Sequence, residues 1–144
     1  MWQYVKGMAD VLLGIGIFFI SIQQWKLSKN KAKFELYEKR YEAYTGLKKF
    51  LSSVVTHGTV VTEELVSFRW KFEEHQFLFD KKINAYIGTV YKNALEFRRL
   101  SRKLSKATGE ERKALASQES AQLGWLIDQL EESKKKFDKY LRIS

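Results

Sequence analysis

Nineteen consecutive residues near the N-terminus, from Gly7 to Trp25, contain one charged side chain, that of Asp10. At about 1.5 Å per residue, a helix of this length spans roughly 28 Å, close to the ~30 Å hydrocarbon thickness of a bilayer. Trp2 and Trp25 flank the stretch, where interfacial aromatic residues are enriched. We therefore expect residues 1–25 to form an uncleaved transmembrane anchor.

Two alternatives for this stretch remain open. A cleaved signal peptide would have a similar apolar run, but no A-x-A-like site follows Ile22, and the chain continues with bulky, polar and basic residues. The other alternative is a buried helix of a soluble protein. If the stretch does span a membrane, Lys26, Lys29, Lys31 and Lys33 place the C-terminal side in the cytoplasm, because positive residues stay inside.

One face of the apolar helix is small or polar. It repeats every seven residues and comprises Gly7, Asp10, Gly14, Ile17, Ser21 and Gln24; we call it the polar seam. Small residues let membrane helices approach closely, and polar residues pair across the contact. The seam therefore predicts either an oligomer interface with Asp10 near the headgroups or a pore lined by these side chains, unless Asp10 faces lipid by accident.

The remaining residues, 26–144, predict helices, and the whole chain predicts an all-α fold. Proline is absent and the one β-branched cluster is short, whereas apolar residues recur at helical spacing, from Phe34 to Val54 among others. Glycine at 58 predicts the end of a first helix, and a second is expected over residues 60–74. Asp80 predicts the N-cap of a third, and the T-x-x-E box at Thr108 opens a fourth. Short connections predict a cytoplasmic antiparallel bundle of about four helices.

Positive charge is concentrated in the third predicted helix. The protein carries 26 Lys and Arg against 17 Asp and Glu, and residues 81–107 hold eight of the bases and one acid. The dense end comprises Arg98, Arg99, Arg102, Lys103 and Lys106; we call it the basic patch. Such a patch predicts binding of a phosphate-bearing nucleotide or oligonucleotide, or of anionic lipid, unless it is only a solvated face.

The sequence offers little for catalysis, and no catalytic residue, metal site or cofactor is expected. Cysteine is absent and there are two histidines, which argues against thiol chemistry and against a zinc site. No phosphate-binding glycine loop, G-x-S-x-G or H-E-x-x-H motif is present. His57 precedes a helix-ending glycine and is interpreted as a loop or cap residue, and His75 as a partner of Glu73 or Glu74 or a solvent-facing residue.

Four aromatic-rich runs resemble a widespread bacterial family of small, N-terminally anchored helical proteins. They are Gln24–Lys26, Phe34–Tyr44, Phe77–Phe79 with Tyr86, and the C-terminal set Trp125, Phe137, Tyr140 and Leu141. The resemblance implies an inner-membrane location and transfers no active site. By architecture alone the chain is similar to membrane effectors of anti-phage systems. In the Hailong type, an oligomeric channel is held closed by a DNA oligomer made by a partner nucleotidyltransferase.

Three functions follow as competing hypotheses. The first is an oligomeric membrane effector or channel, whose cytoplasmic domain binds an anionic nucleotide. The second is a membrane-anchored scaffold that presents its helical domain to a partner protein encoded nearby, with no pore. The third is an enzyme whose site has no recognisable motif. We favour the first, because it uses both the polar seam and the basic patch.

Overall fold

The computed structural model describes residues 2–142, and these form four α-helices with no strand. The helices are α1 (Trp2–His57), α2 (Thr62–His75), α3 (Lys81–Lys106) and α4 (Gly109–Phe137). Short 3-10 turns lie at Gln76–Leu78 and Asp138–Tyr140. The all-α prediction is confirmed, and α1 continues without a break from the apolar stretch to His57.

Helix α1 ends where the sequence predicts. Gly58 has φ of +65°, and its N–H donates to the carbonyl of Val54 over 2.8 Å. Glycine reaches this left-handed conformation without the steric penalty that a Cβ brings. Asp80 is likewise the N-cap of α3, because its carboxylate accepts from the N–H of Ile83 at 3.0 Å.

The start of α4 is correctly predicted, but the capping box is not formed. Thr108 is the N-cap residue, yet its side chain makes no capping hydrogen bond. Gly109 follows it with φ of +65°. With this left-handed residue between Thr108 and Glu111, the Thr108 hydroxyl does not accept from the backbone N–H of Glu111, as a capping box requires.

The described chain divides into two compact units, one ending at Leu36 and the other covering Tyr37–Arg142. In the first unit every described residue is exposed. The helix there contains a stretch that is long and apolar enough to cross a membrane by length and composition, and none of that stretch is buried. The predicted boundary after residue 25, which marks the end of the apolar stretch, stays a prediction.

The second unit is held together by one apolar cluster drawn from all four helices. Helices α3 and α4 run antiparallel, since Tyr86 contacts Gln129 while Asn93, further along α3, contacts Gln122, which comes earlier in α4. Their fully buried residues include Phe97. The remaining cluster members with no more than 1% exposure are Leu47, Leu51, Val54, Val90, Ala94, Leu126 and Phe137.

Aromatic rings join α1 to the other helices. Phe50 of α1 stacks on Phe68 of α2, with ring centroids 4.9 Å apart and an interplanar angle of 8°. Tyr44 of α1 packs against Phe137 of α4 at 5.5 Å. Phe34 and Tyr41, which share the helical spacing that runs from Phe34 to Val54, are exposed, at 54% and 51%. Their helical spacing is right, but no other helix covers that part of α1.

Candidate membrane seam and basic patch

All six residues of the polar seam lie on α1 within the first unit and are exposed. Gly7 and Gly14 have no atom within 4 Å of where a Cβ would stand, so the backbone there is open to close approach by another helix. The Ser21 hydroxyl donates to the carbonyl of Ile17 at 2.9 Å, within the helix. The serine therefore fits an apolar surrounding without needing a further partner.

The basic patch occupies the final turns of α3. Arg98 is half-buried, whereas Arg99, Arg102, Lys103 and Lys106 are exposed. The helix ends at Ala107, whose N–H donates to the carbonyl of Leu104 at 3.3 Å. Positive side chains at this end offset the partial negative charge of the last carbonyls. Part of the patch thus has a structural role in α3 itself.

One arginine of the patch is already paired within the helix. Arg99 donates to both carboxylate oxygens of Glu96, at 2.9 and 2.5 Å. These hydrogen bonds lower the pKa of Glu96 and raise that of Arg99. Arg98, Arg102, Lys103 and Lys106 make no ion pair with any described residue. The four unpaired cations are therefore the part of the patch available to an anion.

The patch lies at one end of the second unit, opposite the end where the chain enters at Tyr37. At the entry end, Arg40 of α1 donates from Nε to the carbonyl of Leu78 at 3.0 Å. Its guanidinium lies 5.4 Å from the ring of Tyr140, whose hydroxyl donates to Asp80. Helix α3 begins in this cluster and runs away from it for 26 residues. Sequence alone left this direction undecided.

A groove of about 530 Å³ between α1 and α2 was not predicted. Ser53 lines it and donates to Glu64, and the Nδ1 of His57 lies 3.2 Å from the Ser53 hydroxyl and 2.9 Å from the Ser53 carbonyl. A carbonyl can only accept, so Nδ1 carries the proton in that contact and cannot take one from the serine. This arrangement does not activate Ser53 as a nucleophile. The contact between Ser53 and His57 could have been predicted from the sequence, because residues four apart share one face of a helix.

The partner of His75 differs from the predicted one. Its Nε2 lies 3.9 Å from Glu42 of α1, rather than beside the adjacent Glu73 or Glu74. Because residues two apart on a helix do not face each other, Glu73 was poorly placed from the start. His57 is the last residue of α1, in line with its interpretation as a cap residue.

The arrangement of potential metal ligands in the described residues and the comparisons with known proteins do not indicate a specific chemical activity. Within residues 2–142, no group of three or more His, Asp or Glu side chains is placed to hold a metal ion. No protein-family model matches the chain, and no curated protein or solved structure matches it either.

Proposed function

We propose that the protein is a homo-oligomeric, single-pass membrane effector of the bacterial inner membrane, of the type used in anti-phage defence. Its N-terminus lies outside, and residues 26–144 form a cytoplasmic antiparallel helical bundle. The polar seam assembles the oligomer and lines a pore, and the basic patch binds an anionic nucleotide or oligonucleotide. The observation that carries the proposal is the complete exposure of the apolar stretch of α1.

The free energy of exposing this apolar stretch to water is unfavourable, which favours a bilayer as its surrounding. Nine large apolar side chains between Val11 and Ile22 are exposed. Each is worth about 1.5–3 kcal/mol when removed from water, so the stretch is worth on the order of 20 kcal/mol. That exceeds the ~5–15 kcal/mol by which a domain is normally stable. The faces away from the seam, including Leu12, Leu13, Phe18, Phe19 and Ile22, suit lipid.

The polar seam supports assembly within that bilayer. An ionised Asp10 facing lipid is unfavourable by several kcal/mol, so it faces a neighbouring helix or water. Ring-shaped contacts between copies would place Asp10 toward a shared axis, where carboxylates favour cations. Ile17, about two helical turns further in, would supply an apolar constriction.

The unpaired cations of α3 support the proposal of an anionic ligand. Arg102, Lys103 and Lys106 are exposed without an ion pair among the described residues, and guanidinium groups bind phosphate in a fork geometry. The patch lies at the end of the second unit away from Tyr37, which favours a soluble anion over lipid headgroups. A ligand shifts the pore equilibrium only if it binds the open and closed states with different affinity.

Ion leakage tests the pore. Asp10→Leu removes the carboxylate and Ile17→Gln removes the apolar constriction; each should change membrane potential measured with a voltage-sensitive dye in expressing cells. Phe18→Leu, on a lipid-facing position, is the matched control and should behave as wild type. If both seam variants leave membrane potential and growth unchanged, the pore is wrong.

Native mass spectrometry on the protein in mild detergent tests the ligand and the stoichiometry together. Four or more subunits carrying nucleotide mass would support the proposal, and Arg102→Glu should then lose that mass. Lys135→Glu, on α4 and paired only with Glu132 at 3.5 Å, is the charge-matched control. A bare monomer or dimer has too few helices to enclose a pore and would refute the channel.

The second candidate is the membrane-anchored scaffold without a pore. The hydrogen bond from Ser21 to Ile17 favours it, because the donor of the seam hydroxyl is satisfied inside its own helix and the seam can pack against another helix without water. In that case an unrelated transmembrane helix in place of residues 1–25 should preserve function. Loss of function after the exchange would favour the channel.

A further inference from the structure

Helix α2 carries an exposed stripe with both apolar and acidic side chains. Glu63, Val66, Trp70 and Glu74 follow one another at spacings of three and four residues and so share one face. Val66 is 47% and Trp70 66% exposed, and Phe77 in the following turn is 89% exposed. Large exposed aromatic side chains grouped in this way are typical of protein contact surfaces. We call these residues, with Phe77, the α2 stripe.

Within residues 2–142, the carboxylates of the α2 stripe, those of Glu63 and Glu74, have no ion-pair partner. Negative charge on both sides of Trp70 also disfavours an anionic membrane surface as the occupant. The chemistry that complements the α2 stripe is a helix face with a central aliphatic residue and unpaired cations.

Helix α3 presents such a face. Leu95 is 39% exposed; exposed Lys92 precedes it by three residues, and Arg98 and Arg102 follow it at spacings of three and four residues. None of these three cations has an ion pair among the described residues. We call this set the α3 stripe. The α2 and α3 stripes make no ion pair with each other inside one chain.

From this complementarity we infer that the α2 stripe of one chain docks on the α3 stripe of a second copy. The two helices cross antiparallel, so that Trp70 lies beside Leu95, Glu63 beside Arg102, and Glu74 beside Lys92. Desolvated aromatic and arginine residues supply most of the binding energy in interfaces of this kind, while charge complementarity fixes the register. The inference rests on the homo-oligomer of the proposed function, but not on its pore or ligand.

The contact also has a consequence for regulation. Arg98 and Arg102 belong to the basic patch as well as to the α3 stripe. An anion bound to them competes with the carboxylates of the α2 stripe. Ligand binding and this subunit contact therefore exclude each other, which gives the ligand a difference in affinity between two assembly states.

Site-directed cross-linking of the full chain in membranes tests the contact, and the absence of native cysteine makes it clean. Val66→Cys is placed in a chain with one tag and Leu95→Cys in a chain with another. A short bismaleimide should join the two tags. Val66→Cys with Glu131→Cys is the matched control, because Glu131 is equally exposed but lies on α4. No product above that control would overturn the inference.

Charge reversal then tests the register. Glu63→Lys in the Val66→Cys chain, or Arg102→Glu in the Leu95→Cys chain, should each lower the cross-linked yield about threefold or more. The two reversals together place opposite charges in contact again and should restore the yield. Failure of the restoration would refute the docking. A normal cross-link in a protein whose seam variants do not alter ion leakage would refute only the pore.

Discussion

Replacing Tyr86 with phenylalanine tests the polar contact that joins α3 to α4. The Tyr86 hydroxyl donates to Oε1 of Gln129 at 2.7 Å, and Gln129 is 5% exposed. Burial, and to a lesser extent the nearby Glu132, raise the pKa of Tyr86. The hydroxyl is thus held neutral as a donor in a largely apolar setting.

The expected magnitude follows from what the substitution leaves behind. Phenylalanine keeps the ring but strands the buried Gln129 oxygen without a donor, which is unfavourable by about 1–3 kcal/mol. For a domain of roughly 100 residues, 1 kcal/mol corresponds to about 4 °C in the unfolding midpoint, so we expect a fall of roughly 4–12 °C. The measurement is thermal unfolding followed by circular dichroism, on the full chain in mild detergent.

Two further variants separate this reason from a general loss of packing. Tyr91→Phe removes a hydroxyl of the same helix that accepts only a 3.3 Å bond from exposed Arg69, and it should change stability by less than about 0.5 kcal/mol. The double variant Tyr86→Phe with Gln129→Leu leaves no stranded oxygen and should recover much of the loss. If the double variant is as unstable as the sum of the single changes, the stranded acceptor is not the cause.

Three more substitutions probe the core, the helix end and the acid response. Phe97→Ala empties a fully buried site and should lower the free energy of unfolding by about 3–5 kcal/mol, measured by urea titration, whereas a loss under 1 kcal/mol would mean that the site collapses. Gly58→Ala places a Cβ on a residue with φ of +65° and should destabilise the protein by about 1–2 kcal/mol. Gly124→Ala, at an open helical position, should instead stabilise it by about 0.4–1 kcal/mol. Equal effects of the two substitutions would contradict the argument from backbone conformation. Hydrogen bonds from Tyr140 and then Ile83, with Lys139 nearby, lower the pKa of Asp80. The stabilisation by this carboxylate is therefore present above the ordinary carboxyl pKa and is lost as pH falls through the lowered value. In Asp80→Asn the dependence of thermal stability on pH should be flatter between about pH 5 and 2, and an unchanged dependence would contradict this reasoning.

The helix limits could be predicted because they depend on neighbouring residues. Gly58 and Asp80 act within four residues of their own position, through one φ angle or one capping bond. Thr108 shows where local reasoning fails, since the sequence pattern of a capping box says nothing of the φ that Gly109 adopts. The prediction located the start of α4 correctly and was wrong about the bonds that hold it.

Burial was harder to predict, because it depends on which distant helix covers a given turn. Phe34, Tyr41 and Leu47 share helical spacing, yet only Leu47 is covered. Burial of Gln129 was not predicted for the same reason, since its partner Tyr86 comes from α3. The Ser53–Glu64 contact and the groove around it needed α1 and α2 side by side.

The two candidate sites differ in what tertiary structure adds to them. The polar seam lies on one helix, so all of its residues can be identified from the sequence. Its function depends on contacts with other copies of the chain. The basic patch changes once its neighbours are known: Glu96 neutralises Arg99, and exposed Leu95 lies beside the remaining cations at their N-terminal end. The basic residues therefore do not form a uniform positive surface. They form a face with one paired arginine, several unpaired cations and an apolar residue, and such a face can distinguish a specific partner from any polyanion.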